Sequence, residues 1–443
     1  MNAPNPRETA FKALMTIETE KSYSNITLKK YLPQTMTQQD KNLASALVYG
    51  VLSRKLTLDY IISQFSSVPL KKMSQSVINI LRMGIYQIMY MDKIPHSAAV
   101  NESVKLAKKH TNKGAYGFVN GVLRNYLRNT NIAYPKDAIE NISVTQSIPM
   151  WLVKRWTDEF GEGFTRELAK AFNTSPEVTL RVNTLKTTPD KLCDALNNQG
   201  TDAFVSDVYE NAVFAKGFDI HASRLYNNGD FIVQDISAMM AAKVLNPQPG
   251  QTVIDVCAAP GGKTTHIAQL MNNEGTVFAF DIHEHKIKII NSNAKRMGID
   301  IIQTCCRDAS QTFDALIGKA DRVLADVPCS GLGILRRKPE IKWDKTAEDI
   351  EQISKIQAGI LSASAKYLKS GGELVYSTCS IEKQENEDVF NEFLKQNPDF
   401  ERVDITQLLP EQLRKDTCKD GYVTFYPNTD GIDGFFISKL RKR

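Results

Sequence analysis

Apolar residues recur three and four apart through the first 130 positions, then cluster in short bursts beyond about residue 228. The segment QSVINILRMGIYQIMY sets Val77, Leu81, Ile85 and Ile88 at spacings of four, four and three, which puts them on one face of a helix. Pro95 follows and is expected to stop that helix. In HSAAVNESVKLAKKH, Val100, Val104 and Leu106 turn inward while Lys105, Lys108 and Lys109 turn mostly outward. With few glycines and little β-branched alternation, residues 6 to about 130 read as an all-α bundle. A break comes at NTNIAYPKDAIENIS. Beyond it MWLVKRWTDEFGEGFTRELAKAF reads as helix, VTLRVNTL alternates as a strand, and PDKLCDALNNQG reads as a helix ending at Gly200. From about Asn228, the strand-like runs TVIDV, TVFAF, DRVLADV and ELVYST alternate with helical periods such as HKIKIINSNAKRM. That alternation implies βαβ units around a parallel sheet. The expected order is an all-α domain over 1–140, a small α+β element over 145–228 and an α/β domain over 229–443. A length of 443 residues agrees with it, at roughly 150 residues per domain.

Composition narrows the class. With 42% hydrophobic and 24% charged residues the chain can bury cores without staples, which argues against disulfide-scaffold and disordered readings. It has no run of 18 apolar residues, and MNAPNPRETAFKALM lacks the apolar segment of a signal peptide. A cytoplasmic protein with reduced thiols and no membrane association is expected. Seven cysteines without a C-x-x-C pair support neither a zinc ribbon nor a disulfide framework, so no metal is expected. Residues 1–140 hold 19 Lys and Arg against 9 Asp and Glu, while the remainder holds 36 against 41. A basic front on a mildly acidic body suits a docked polyanion. A solvated, lysine-rich helical surface accounts for the charge equally well.

The run TVIDV leads into CAAPGGKTTHIAQL. A glycine pair between a strand and a helix lets the backbone approach a ligand and leaves the helix N-terminus free for an anion. A P-loop requires glycine where Cys257 stands, five residues before Gly262, and the dinucleotide fingerprint G-x-G-x-x-G is missing too. The ligand class left has a carboxylate and a ribose but needs no phosphate, as in S-adenosyl-L-methionine. Asp281 ends the next strand, 20 residues after Gly261, where an acid can accept ribose hydroxyls. Asp308, in CCRDAS, is a candidate for the adenine amino group, and Asp326 ends DRVLADV. Any one of these acids reads equally as a helix cap or loop residue. Three at consecutive strand ends mark the edge where doubly wound sheets bind ligands.

Cys329 in ADVPCSG and Cys379 in VYSTCS each follow a predicted strand at that same edge. Cys193, Cys305, Cys306 and Cys418 read as buried structural residues, and Cys257 as lining the cofactor loop. A thiol beside a methyl donor has a specific use. Carbon 5 of a pyrimidine is a poor nucleophile, but thiolate addition at carbon 6 makes the ring enamine-like, and carbon 5 can then attack a sulfonium methyl. A base takes the carbon 5 proton and elimination frees the cysteine, dividing one hard step into easier ones. A thiol of pKa ~8.5 is only a few per cent ionised at neutral pH, so the site must favour the thiolate. Asp326 suits a hydrogen bond to the cytosine ring edge. The residues alone do not decide which cysteine attacks.

CAAPGGKT, DVPCSG and STCS, in this order, resemble the RNA cytosine C5-methyltransferases of the NOL1/NOP2/Sun family. RVNTLK at 181–186 is similar to that family's small α+β (RRM-like) element, and RRKPEIKW at 336–343 to its substrate-facing loop. ASALVYGVLSRKLTLDYII and GFVNGVLRN resemble the RNA-binding domain of the NusB antitermination factor. The resemblance implies an all-α NusB-like domain, the RRM-like element and a Rossmann-like class I methyltransferase domain. It implies S-adenosyl-L-methionine as methyl donor, S-adenosyl-L-homocysteine as product and a cytidine in 16S rRNA as target. No obligate protein partner follows from it. By the same resemblance Cys379 matches the nucleophile and Cys329 the cysteine that assists product release. Cys257, Ala258, Ala259, Pro260, Gly261, Gly262 and Lys263 match the loop for the methionine part of the cofactor. Asp281, Asp308 and Asp326 match the cofactor acids, with Asp326 also close to the base. Arg336, Arg337, Lys338 and Lys342 are candidates for holding the RNA backbone, and Trp343 for stacking or for the core. The terminal SKLRKR reads as a phosphate-binding tail or a frayed end.

Rival classes are a transfer-RNA methyltransferase, a catalytically dead binding module and an ATP-using enzyme. Intact Cys329, Cys379 and Asp326 speak against the dead module, and the missing P-loop glycine against the ATP enzyme.

Overall fold

The computed structural model describes residues 5–217, 220 and 223–443. Packing divides the chain into two units, one of residues up to Thr174 together with Leu335–Asp344, the other of Ser175–Ile334 and Lys345–Arg443.

The first unit is helical. Several of its helices start where a short polar side chain can satisfy free backbone N–H groups. Asn5 caps Pro6–Glu20, Thr37 caps Gln38–Phe65, Ser74 caps Gln75–Tyr90 and Asp137 caps Ala138–Gln146. The helix Gln75–Tyr90 spans the segment expected and buries Val77, Leu81 and Ile85, with Ile88 half-buried. It ends at Tyr90 without help from Pro95, which instead caps the next helix, His96–His110. Proline is tolerated at a helix start because no N–H partner is lost there. Helices Gln38–Phe65 and Gln75–Tyr90 approach closely at Gly50, where a Cβ would lie 1.9 Å from the Tyr86 ring. Arg82 is buried, held bidentately by Asp59 at 2.7 and 2.8 Å and by Glu18 at 2.7 Å. Part of the basic charge in this unit is therefore structural. Helices Met150–Phe160 and Glu162–Ala171 pack with this unit, whereas the sequence pattern groups them with the α+β element.

The segment Leu335–Asp344 folds into the same helical unit. Glu340 accepts from Ser24 N–H and Oγ–H at 2.9 Å each. Lys342 donates to the Ser53 carbonyl at 2.8 Å, and Trp343 Nε1 to the Leu52 carbonyl at 2.7 Å. Lys342 is 2% exposed. It is spent on the protein's own backbone, which corrects its reading as an RNA contact, and Trp343 is anchored by its N–H. Lys338 lies over the Tyr23 ring.

The second unit opens with a four-stranded antiparallel sheet. Its strands are β1 (Val178–Val182), β2 (Asp202–Val205), β3 (Ala212–Lys216) and β4 (Phe231–Val233), in the order β2-β3-β1-β4. The larger sheet contains β5 (Thr252–Asp255), β6 (Thr276–Asp281), β7 (Ile302–Cys306), β8 (Ala320–Asp326) and β9 (Leu368–Thr378), all parallel. Successive residues alternate between two cores. Leu324, Val375 and Ile437 pack on one face, and Val323, Ala325, Leu374, Tyr376 and Phe436 on the other. Burial on both faces explains why these strands read as unbroken apolar runs.

The sheet is mixed rather than wholly parallel. β10 (Phe400–Arg402), β11 (Tyr422–Phe425) and β12 (Phe435–Lys442) add antiparallel strands beside β9. The basic C-terminus is thus neither tail nor frayed end. Lys439 is 2% exposed and pairs with Glu373 at 2.9 Å, and Arg441 pairs with the same carboxylate at 2.7 Å. Among the described residues no helix is long and apolar enough to cross a membrane.

The order β10-β12-β9-β8-β5-β6-β7 puts the reversal at β5. The chain runs from β5 through β6 and β7 on one side, then returns to β8 and β9 on the other. A crevice at the carboxyl ends follows from that reversal.

Candidate active site

The loop after β5 is tied to both neighbouring strands, by Val256 N–H to Leu324 O at 3.0 Å and Ala258 N–H to Phe280 O at 2.7 Å. Gly261 has φ +98°, and a Cβ there would meet Ile290 Cα at 3.3 Å. The helix Gly262–Leu270 starts immediately after it. Arg181 of β1, fully buried, supports this helix start. It donates to the Gln234 side chain, to Gly262 O at 2.5 Å and to Thr265 Oγ1 at 2.9 Å. Burial lowers its pKa to about 9. Asp255, 1% exposed, accepts from Thr264 Oγ1 at 2.7 Å. Burial pushes its carboxyl up to about 7, against the Thr264 hydrogen bond and with help from Asp326. Neither residue was singled out for a role in the sequence pattern, where a buried Arg in a short strand looks like ordinary alternation.

The three acids stand at the ends expected. Asp281 ends β6, is buried, and accepts from His283 N–H at 2.9 Å through Oδ1. Asp308 follows β7 and accepts from Ser310 N–H and Oγ–H at 2.9 and 2.7 Å, which lowers its pKa. Asp326 ends β8. Its Oδ2 pairs with Lys263 Nζ at 2.8 Å and its Oδ1 accepts from Ser377 Oγ at 2.9 Å. Burial opposes the charge on Lys263, but Asp326 and Cys379 outweigh it and raise the lysine's pKa. Lys263 therefore links the loop after β5 to the strand ends that carry the cysteines.

Cys329 and Cys379 come together. Their sulfurs lie 2.9 Å apart, and both residues are half-buried rather than sealed in the interior. The Cys379 hydrogen bond, burial, and the negative groups Glu385 and Asp326 push the Cys329 thiol well above its ordinary pKa. Buried polar residues missed in the sequence surround the pair, among them Ser377, Gln357, Glu385 and Asn386. Of the other cysteines, Cys193 and Cys418 are buried as expected, Cys305 and Cys257 are half-buried, and Cys306 is exposed, with its Sγ 3.4 Å from Ile282 O. The buried reading of Cys306 is corrected by its place at the end of the outermost parallel strand. Burial, with Asp255 and Asp326 adding, raises the Cys257 thiol well above its usual pKa.

A doubly wound sheet with a glycine loop after its first strand and acids at the next strand ends defines a Rossmann-like methyltransferase domain. The comparisons agree. Residues 242–441 match the family model described as 16S rRNA methyltransferase RsmB/F, residues 4–128 the NusB family, and residues 148–219 an RsmF/B-like ferredoxin-like domain. The probable ribosomal RNA small subunit methyltransferase B of Bacillus subtilis is 38% identical, covering 100% of both chains. Its counterpart in Klebsiella pneumoniae is 34% identical over 99% of this chain and 98% of that one. Among solved structures, PH0851 superposes with TM-score 0.83 at 27% identity over 100% of both chains. A methyltransferase homolog from Pyrococcus horikoshii gives 0.60 at 28% identity over 70% of this chain and 100% of the other. The chain belongs to the ribosomal RNA small subunit methyltransferase B family and is a methyltransferase.

Proposed function

We propose that this protein transfers a methyl group from S-adenosyl-L-methionine to carbon 5 of a cytidine in 16S rRNA, with Cys379 as nucleophile. The observation that carries the reading is the pair of sulfurs 2.9 Å apart at the exits of β8 and β9, beside Asp326 and Lys263. The rRNA substrate rests on the names of the relatives.

The donor set fits the cofactor. The N-terminus of Gly262–Leu270 offers backbone N–H groups to a carboxylate. Cys257 through Lys263 would line the methionine portion, Asp281 would accept the ribose hydroxyls and Asp308 would meet the adenine. The bound cofactor supplies an electrophilic methyl group on a sulfonium.

The chain's own residues prepare the base. The target cytidine must leave its stack, which favours a loop or distorted region of RNA. The basic helical unit supplies affinity through phosphate contacts. Asp326, an ion-paired carboxylate, accepts from the cytosine amino group and orients the ring for attack at carbon 6. The Cys379 thiolate bonds to carbon 6, and carbon 5 gains the electron pair needed to take the methyl. Lys263 is stabilised by negative charge at Cys379, and the attraction is mutual, so the ammonium favours a charged sulfur there. Cys329, with its raised proton affinity, holds the proton the two sulfurs share. A base takes the carbon 5 proton, the electron pair of that bond restores the carbon 5–carbon 6 double bond, and Cys379 leaves carbon 6 as a thiolate, with Cys329 assisting the release.

Cys379→Ala is expected to abolish methyl transfer while cofactor binding persists; turnover by this variant would remove Cys379 as nucleophile. Cys329→Ala is expected to trap a protein–RNA adduct that survives denaturing electrophoresis. An adduct trapped by Cys379→Ala instead would exchange the two roles. Bisulfite sequencing of rRNA and tRNA from cells lacking the chain identifies the substrate.

A further inference from the structure

One short turn, Lys383–Glu385, reaches both cysteine loops. Glu385 is fully buried. Its Oε1 accepts from Ser330 N–H at 2.7 Å and from Gln357 Nε2 at 3.1 Å. Its Oε2 accepts the hydroxyl protons of Ser330 and Ser380, each at 2.5 Å. Ser330 follows Cys329 and Ser380 follows Cys379, so a single carboxyl group ties down the residue after each sulfur. The residues before them are tied as well. Gln357 Nε2 donates to Pro328 O at 2.9 Å, and Thr378 Oγ1 donates to Asn386 Oδ1 at 2.5 Å. The Tyr376 hydroxyl donates to the carbonyl of Glu385 itself. Burying a carboxyl group is costly unless donors surround it, and a fold alone is served as well by apolar packing. Four donors from three separate segments converge here, and two of those segments carry the thiols.

We propose that Glu385 is a positioning residue whose carboxyl group fixes the spacing of Cys329 and Cys379, keeping the two sulfurs within reach of one proton. The proposal rests on the two-thiol reading above. The charge of Glu385 acts in the same direction, since it contributes to the raised proton affinity of Cys329.

Glu385→Gln replaces one acceptor oxygen by an NH2 group that must face donors. The double variant Ser330→Ala, Ser380→Ala removes the hydroxyl tethers and keeps the carboxyl group. Both are made in the full chain. The measurements are kcat and KM for methyl transfer, melting temperature, and the pH dependence of iodoacetamide alkylation at Cys379 and Cys329, mapped by mass spectrometry. Glu385→Gln is expected to lower kcat on the order of 100-fold, leave KM for the cofactor unchanged and move the alkylation profile of both thiols. The double variant is expected to move both readouts the same way by less, and it decides the matter if Glu385→Gln does not fold. Wild-type kcat with an unmoved alkylation profile in either folded variant overturns the proposal. A fall in kcat with an unmoved profile overturns it too, because the role is then only structural. If Cys379→Ala still turns over, the two-thiol reading has failed separately, and the alkylation profile alone judges Glu385.

Discussion

Gly333→Ala tests how tightly the nucleophile's backbone is set. Gly333 N–H donates to Cys379 O at 3.0 Å, and Gly434 N–H donates to Gly333 O at 2.9 Å, so three strand-end loops share one narrow contact. A Cβ on Gly333 would lie 2.1 Å from Gly434 O and 2.8 Å from Cys379 O. Ordinary contact begins at 3.4 Å, so the first clash is about 1.3 Å too short and the second about 0.6 Å. Both neighbours are backbone, so no side chain can rotate away, and the Cys379 peptide has to move. Overpacking of this kind costs about 1–3 kcal/mol, and displacing a reacting group by ~1 Å costs on the order of 100-fold in rate. The expected result is a fall in kcat of roughly 10- to 100-fold, with cofactor affinity unchanged because the loop after β5 is not touched. Single-turnover methylation and cofactor titration measure the two effects. Gly163→Ala is the control, since a Cβ there meets nothing within 4 Å in the helix Glu162–Ala171. It is expected to raise stability by about 0.5–1 kcal/mol and leave the rate alone. Wild-type kcat in Gly333→Ala would refute the claim that Cys379 is fixed through this contact.

Asp255 makes stability depend on pH. Its folded carboxyl keeps a proton up to about pH 7 while the unfolded one loses it near 3.8, so the folded state binds the extra proton between those values. Stability contributed there is full below pH ~4 and lost as pH rises to ~7, with a ceiling of ~4 kcal/mol at about 1.4 kcal/mol per pH unit. Asp255→Asn should flatten urea midpoints across that window, and an unchanged slope sinks the assignment. Exposed Lys71, Lys72 and Lys113 in the helical unit test the RNA-docking role. Replacing all three by Ala should shallow the log–log salt slope of RNA binding by about 2. An intact slope would move phosphate contact to other residues.

Much of the site was legible because its chemistry is local in sequence. A glycine pair after a strand, acids at strand ends and thiols after strands each occupy a few adjacent residues, and the reversal at β5 brings them to one edge. Arg181, Gln357 and Glu385 were not legible, because each is defined by partners 28 to 84 positions away. β12 was hidden for a related reason. Lys439 and Arg441 make its end look solvated, yet both pair with Glu373 on the neighbouring strand. Lys342 misled in the same way, since a basic residue in a basic run gives no sign that a backbone carbonyl has claimed it.

The excursion of Leu335–Asp344 into the helical unit has a bearing on ancestry and on engineering. The polypeptide crosses from one unit to the other at Thr174, again at Ile334 and once more at Asp344. Cutting the gene at the first crossing would strip Glu340 from Ser24 and expose the Leu52 and Ser53 carbonyls that Trp343 and Lys342 occupy. A module attached by one peptide bond can be exchanged by recombination. One that encloses ten residues of the catalytic chain gives up those contacts when it is cut away.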